Sequence, residues 1–166
     1  MIYTIQSIAP ICYDLRSKNY KLVLATGFFD LLHQEHINFL QKARAAGDTL
    51  VVAVESDVRA RALKGEGRPV ETQSIRCQHI LDLAARLENW KTGIFALALP
   101  PDFDDFEAYD SLMAAVKPAV YAVSSHTEHL KSKAFLVEKY GGKLNIVHKF
   151  NPEISTTKLL KQGILS

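Results

Sequence analysis

The stretch Ala25-Thr-Gly-Phe-Phe-Asp-Leu-Leu-His-Gln-Glu-His-Ile-Asn-Phe-Leu40 decides the fold, because the periodicity of the chain changes inside it. Ahead of it, Lys21-Leu-Val-Leu-Ala is a short apolar run of the length of a buried strand. From about His36 the apolar residues recur at helical spacing. Gly27 lies between the two patterns, where a chain leaving a strand has to turn.

The same alternation continues to the end of the chain. Runs rich in Val, Leu, Ile and Ala predict strands near residues 21–26, 49–55, 93–99, 119–123 and 144–150. Stretches of helical period predict helices over 36–46, 72–87, 103–116, 127–140 and 156–163, with a short one around 57–63. Uninterrupted apolar strands separated by helices are how a buried parallel sheet is written in sequence. The fold class expected is therefore α/β: a Rossmann-like, doubly wound three-layer sandwich on a five-stranded parallel sheet. Ligands of such a sheet sit beyond the carboxyl ends of its strands. All 166 residues are expected to form one domain, with residues 1–20, which are less periodic, as a strap or helix outside the sheet.

Composition excludes several classes. Twenty Lys and Arg nearly balance 18 Asp and Glu, and the two signs are mixed along the chain, so no basic stripe is available to follow a nucleic-acid backbone. No apolar run reaches membrane-spanning length, and the first twenty residues lack the pattern of a signal peptide. Cys12 and Cys77 have neither metal-ligand spacing nor the number needed for a disulfide framework, which suits a reducing cytoplasm. No G-x-G-x-x-G follows a strand and no G-x-x-x-x-G-K-[ST] occurs, which removes support for a dinucleotide dehydrogenase or a P-loop ATPase.

His33 and His36 stand three apart at the start of the first predicted helix, so they share a face where free N–H groups and the helix dipole favour an anion. Taken alone, such a pair is more readily a chance feature of a solvated loop. The order of strand, glycine turn, Phe29-Asp30, paired histidines and Phe39-Leu40 resembles the His-x-Gly-His signature of the nucleotidyltransferase superfamily. The resemblance continues through Gly47-Asp-Thr-Leu-Val-Val-Ala-Val-Glu-Ser-Asp57. It is found again in Leu63-Lys-Gly-Glu-Gly-Arg-Pro-Val70, which looks most like the sugar-phosphate (heptose) adenylyltransferase branch, and in Ile154-Ser-Thr-Thr-Lys158. In all it spans about Lys21 to Leu160 and also takes in the glycerol-3-phosphate cytidylyltransferases.

This resemblance implies an enzyme in which a phosphate oxygen of a small phosphorylated substrate attacks the α-phosphorus of a nucleoside triphosphate and expels pyrophosphate, with Mg²⁺ accompanying the triphosphate. It implies a nucleotide site on Thr26, Gly27, Phe28, Phe29, Asp30 and Glu35, with His33 and His36 on the triphosphate. Lys64 and Arg76 would neutralise phosphate charge, Arg68 would belong to a cationic loop, and Ser155, Thr156 and Thr157 would hold the β- and γ-phosphates. A homo-oligomer is implied by the habits of relatives. Arg76 begins the stripe Ile80, Leu83, Leu87, so it either reaches over the sheet towards the phosphates or pairs with a local carboxylate.

Several positions depart from the pattern. Glu35 stands where the signature has glycine, bringing bulk and negative charge to an anion site, although a carboxylate there could accept from the exocyclic amine of a base. Glu55 replaces an asparagine of the heptose branch. Ser124-Ser-His-Thr-Glu-His129 replaces a Gly-Asp segment, and Phe150-Asn-Pro-Glu replaces the Arg-Thr-Glu of cytidylyltransferases, which favours ATP over CTP. His126 and His129 lack a third ligand for zinc and fit a polar helix start or an altered pocket wall. The competing reading is a protein that kept the fold for nucleotide binding or interaction after losing catalysis.

Overall fold

In the computed structural model, which describes residues 1–87, 93–151 and 154–163, the chain runs β1 (Ile2–Tyr3), α1 (Ile5–Ser17), β2 (Leu22–Gly27), α2 (Gln34–Arg44), β3 (Thr49–Val54), α3 (Asp57–Lys64), α4 (Gln73–Arg86), β4 (Ile94–Ala98), α5 (Phe106–Val116), β5 (Val120–Ser124), α6 (Leu130–Lys139), β6 (Lys143–His148) and α7 (Thr156–Lys161). The strands form one parallel sheet in the order β1-β4-β3-β2-β5-β6. The sheet thus has six strands among the described residues where five were expected. The additional strand is β1, in which Ile2 and Tyr3 pair with Ala96 and Leu97 at the edge. Two residues are too few to show a period of two, so the sequence pattern could not reveal it. The rest of the expected strap is α1, begun by a reciprocal cap between Thr4 and Ser7.

Alternation along the central strands sends side chains to both faces. Leu22, Leu24, Val51, Ala53, Leu97, Tyr121 and Val123 pack with residues of α1, α5 and α6; Val23, Ala25, Leu50, Val52, Val54, Ala96, Val120 and Ala122 pack with residues of α2 and α4. Every residue of β3 is buried, as two covered faces require. Some helix starts shift by a few residues from their predicted places, and in α5 a capping side chain sets the start. Asp105 accepts from Ala108 N and begins α5 at Phe106 rather than at 103.

From β2 the chain builds outward through β3 and β4, then returns to add β5 on the other flank of β2 and β6 beyond it. The carboxyl ends of β2 and β5 therefore border the switch point, where the loops diverge and leave a crevice. Thr26 Oγ1 and Tyr121 Oη, 2.8 Å apart, join the two strands there. No helix among the described residues is long and apolar enough to cross a membrane.

Candidate functional site

The loop between β2 and α2 is held in an unusual shape. Phe29 (φ 52°) and Leu31 (φ 48°) are both left-handed, a conformation that costs on the order of 1–2 kcal/mol for a residue with a side chain. Asp30 between them supplies the compensation. Its buried carboxylate accepts from Arg68 Nε (2.9 Å) and Nη2 (2.8 Å) and from the backbone N–H groups of Val70 and Glu71, while its carbonyl accepts from Thr156 Oγ1 at 2.8 Å. Leu31 N–H donates to Glu71 Oε2 as well. Gly27 is needed for a different reason: a Cβ there would stand 3.0 Å from the Phe29 ring.

A cavity of about 440 Å³ opens over this loop, walled by Thr26 to Asp30, by His33, Glu35, His36 and Phe39 from the start of α2, by the ends of β5 and β6, and by Lys64, Arg68 and the Ile154 to Thr157 segment. The helix begins at Gln34, two residues earlier than expected, with His33 as its cap residue. The two imidazoles stack with centroids 3.8 Å apart, and the Nδ1 of each is buried without a hydrogen-bond partner among the described residues. Burial pushes the His36 imidazole down to about 3, helped by His33 and His126; burial also lowers His33, partly offset by Glu35. Both rings are therefore neutral near pH 7, and both residues line the cavity at the switch point.

Glu35, the residue in place of the signature glycine, turns sideways. Its Oε2 lies 2.9 Å from His148 Nε2 and its Oε1 accepts from Asn38 Nδ2 at 3.1 Å, while Lys42 Nζ approaches His148 Nδ1 at 3.2 Å. The His148 hydrogen bond is the main reason the Glu35 carboxyl titrates below its usual range. His148, unremarked in the sequence, is thus a wall of the cavity.

The other expected residues separate into two groups. Lys64 lines the cavity with its ammonium 5.6 Å from the centre of the Phe28 ring. Arg68 also lines it, bridging Asp30 to Thr157 Oγ1 at 3.1 Å. Ser155 caps α7 by accepting from Lys158 N, Thr156 is buried against Asp30, and Thr157 is exposed. Arg76, expected at the phosphates, lies outside this wall. Its guanidinium is fully buried and donates to the carbonyls of Glu71, Phe28 and Glu55 and to Asp57 Oδ1, so the alternative of a local carboxylate partner describes it. A cation with that many internal acceptors fixes the ends of β2 and β3 rather than meeting a ligand. His126 Nδ1 bonds Ser124 Oγ and its ring packs on Phe150, while His129 is an exposed left-handed residue before α6; no group of three metal-ligating side chains forms among the described residues. Pro152 and Glu153 of the Phe150-Asn-Pro-Glu segment lie outside the described residues.

A second cavity, of about 620 Å³, adjoins the first and shares the walls Thr26, Gly27, Phe28, Lys64, His126, Thr127 and Lys133. Lys133 was not singled out in the sequence. Its signal was a lysine three residues after Leu130 and three and four before Leu136 and Val137, inside the apolar stripe of α6.

A parallel sheet with a cavity at its switch point, lined by paired imidazoles and by lysine, places this chain among α/β folds that carry their sites beyond the carboxyl ends of the strands. The chain belongs to the cytidylyltransferase-like family, whose model matches residues 24–162. It is 33% identical over 147 residues to the bifunctional protein HldE of Pseudomonas fluorescens (strain SBW25), an alignment covering 88% of this chain and 28% of that protein. The HldE of Geobacter metallireducens is 32% identical over 160 residues, with 96% of this chain and 30% of that protein covered. The chain thus spans under a third of the length of these curated relatives. Among solved structures, the lipopolysaccharide core biosynthesis protein from Thermoplasma volcanium GSS1 matches with a TM-score of 0.58 at 25% identity, over 80% of this chain and 99% of that one. Pantoate-beta-alanine ligase from Francisella tularensis shares the fold, with a TM-score of 0.60 at 13% identity.

Proposed function

We propose that the chain is a nucleotidyltransferase that moves AMP from ATP to the phosphate of a small phosphorylated substrate such as a sugar phosphate. A phosphate oxygen of the acceptor attacks the α-phosphorus, a new O–P bond forms, the bond to the bridging oxygen breaks, and pyrophosphate leaves. The attacking phosphate is already anionic, so catalysis reduces to alignment and neutralisation of charge on the departing side.

The observation that carries this reading is the stacked His33–His36 pair, with both Nδ1 atoms buried and without a hydrogen-bond partner among the described residues, in a cavity that Lys64 also lines. Neutral imidazoles supply hydrogen bonds to phosphate oxygens and gain a proton as the triphosphate arrives; Lys64 supplies fixed positive charge. Arg68 and Thr157, hydrogen-bonded to each other, line the same cavity. The carboxylates of that cavity are already engaged, Asp30 by Arg68 and Glu35 by His148, which leaves a poor donor set for a resident metal. Mg²⁺ would instead enter as the counterion of the triphosphate.

Calorimetry with ATP and CTP, with and without Mg²⁺, tests the site without a guess at the acceptor. Saturable ATP binding that weakens by about tenfold or more in His33→Ala and His36→Ala is the expected result. A folded sample that binds neither nucleotide refutes it. Glu35 in the glycine position supports a second reading, a chain that binds nucleotide without turnover; nucleotide binding with no pyrophosphate release from ATP in the presence of any sugar phosphate would select it.

A further inference from the structure

Helix α2 starts without a side-chain cap: the imidazole of His33, its cap residue, accepts from none of the first-turn N–H groups. Those N–H groups and the positive end of the helix dipole attract whatever anion is at hand. The acidic side chain of that turn is Glu35, which lines the same cavity as His33 and His36 and whose charge reaches His33. A carboxylate shares with a phosphate its negative charge and its accepting oxygens, so Glu35 is a built-in competitor for the seat of a triphosphate.

Two residues hold this competitor elsewhere. Glu35 Oε2 lies 2.9 Å from His148 Nε2, in a pair whose side chains are only 13% and 8% exposed. An ammonium can only donate, so the approach of Lys42 Nζ to His148 Nδ1 at 3.2 Å makes Nδ1 the acceptor. The ring N–H is then on Nε2, aimed at Glu35. Phe39 stands edge-on to the same imidazole, with centroids 6.4 Å apart, and helps to fix its plane. A glycine at position 35, as in the signature, would need no such arrangement.

Resting on the nucleotidyl-transfer reading above, we propose that His148 is a positioning residue for that reaction: it keeps the Glu35 carboxylate out of the triphosphate seat at His33 and His36, while Lys42 directs its proton. Without the His148 donor, a largely desolvated carboxylate is left in the cavity wall. It turns to the donors of its own turn, the same groups that the triphosphate uses. The loss is then read as triphosphate affinity.

The test is calorimetric titration of ATP and of inorganic tripolyphosphate, each with Mg²⁺, into the parent and into variants shown to be folded by circular dichroism. His148→Leu should weaken both ligands by about tenfold or more, and His148→Gln, which keeps a donor, should stay nearer the parent. Glu35→Gln should raise affinity more in the His148→Leu background than in the parent, restoring most of what was lost. Lys42→Met, at an exposed position, should give a smaller loss that Glu35→Gln also reverses, and it decides the matter if the leucine variant does not fold. Undiminished affinity in these variants, an equal gain from Glu35→Gln in both backgrounds, or a loss confined to ATP overturns the positioning role alone. A parent that holds neither ligand overturns the nucleotidyl-transfer reading itself.

Discussion

Glu35 Oε2 and His148 Nε2 lie 2.9 Å apart, and this contact ties the first turn of α2 to the last residue of β6. The carboxylate that replaces a glycine of the family signature is therefore drawn away from the stacked histidines and held against the sheet. A charge that would oppose a triphosphate is engaged by the hydrogen bond to its partner, and Lys42 stands on the far side of the same imidazole.

Replacing Glu35 by Gly should therefore cost stability before it alters triphosphate affinity. The variant loses the His148 and Asn38 contacts and places glycine in a helix, about 1–3 kcal/mol in total. Denaturant unfolding should show that loss, while ATP affinity stays within about tenfold. A larger rise in affinity would mean that Glu35 blocks the site.

The histidine pair makes triphosphate binding dependent on pH with a defined sign. The free protein holds His36 at about 3 and His33 below its usual value, and a bound polyphosphate raises both. Binding therefore takes up protons, so ATP affinity rises as pH falls through about 7 to 5, after allowance for the ATP γ-phosphate. The rise should be smaller in His36→Gln. An unchanged slope in that variant contradicts the assignment.

The same depression acts oppositely on stability. Below about 6.5 an unfolded chain protonates His36 while the folded one does not until about 3. The unfolded state binds more protons across that window, so this contribution is complete above about 6.5 and falls away as the pH drops towards 3. Urea unfolding from pH 7 to 4.5 should show a shallower decline for His36→Gln than for the parent.

Arg76→Ala should behave as a folding mutant. Removing a fully buried guanidinium strands the carbonyls of Phe28, Glu55 and Glu71 along with Asp57, a loss of about 3–5 kcal/mol. Thermal unfolding should register it, and Arg76→Lys should recover only part, because an ammonium cannot span the same acceptors. Normal stability with selectively lost nucleotide binding would restore Arg76 to the phosphates.

The parallel sheet was legible because four of its strands are nearly continuous apolar runs bounded by helices, as at Thr49–Val54, and β6 still carries Leu144, Ile146 and Val147. Ile2–Tyr3 was not, since a two-residue edge strand carries no periodic signal. The walls contributed by His33, His36, Lys64 and Ser155 to Thr157 were readable from local spacing and the family resemblance. Arg76 shows the limit of that reading: its place on an apolar stripe was visible, yet whether the guanidinium faced a ligand or internal carbonyls depended on contacts with residues 19 to 48 positions away. Lys133 and His148 were missed for the same reason, each being brought to the cavity by the packing of a distant element.

Asp30, set between two left-handed residues, receives its anchors late. Arg68 comes nearly forty residues further along the chain, and the Thr156 hydroxyl that holds the Asp30 carbonyl lies 126 residues away. During synthesis, β2 and α2 emerge from the ribosome long before the segment that completes their connecting loop. A nascent chain that ends at β6 carries the histidines but lacks one of the restraints on the loop that presents them, so nucleotide competence should appear only when the chain as far as α7 has been released and packed.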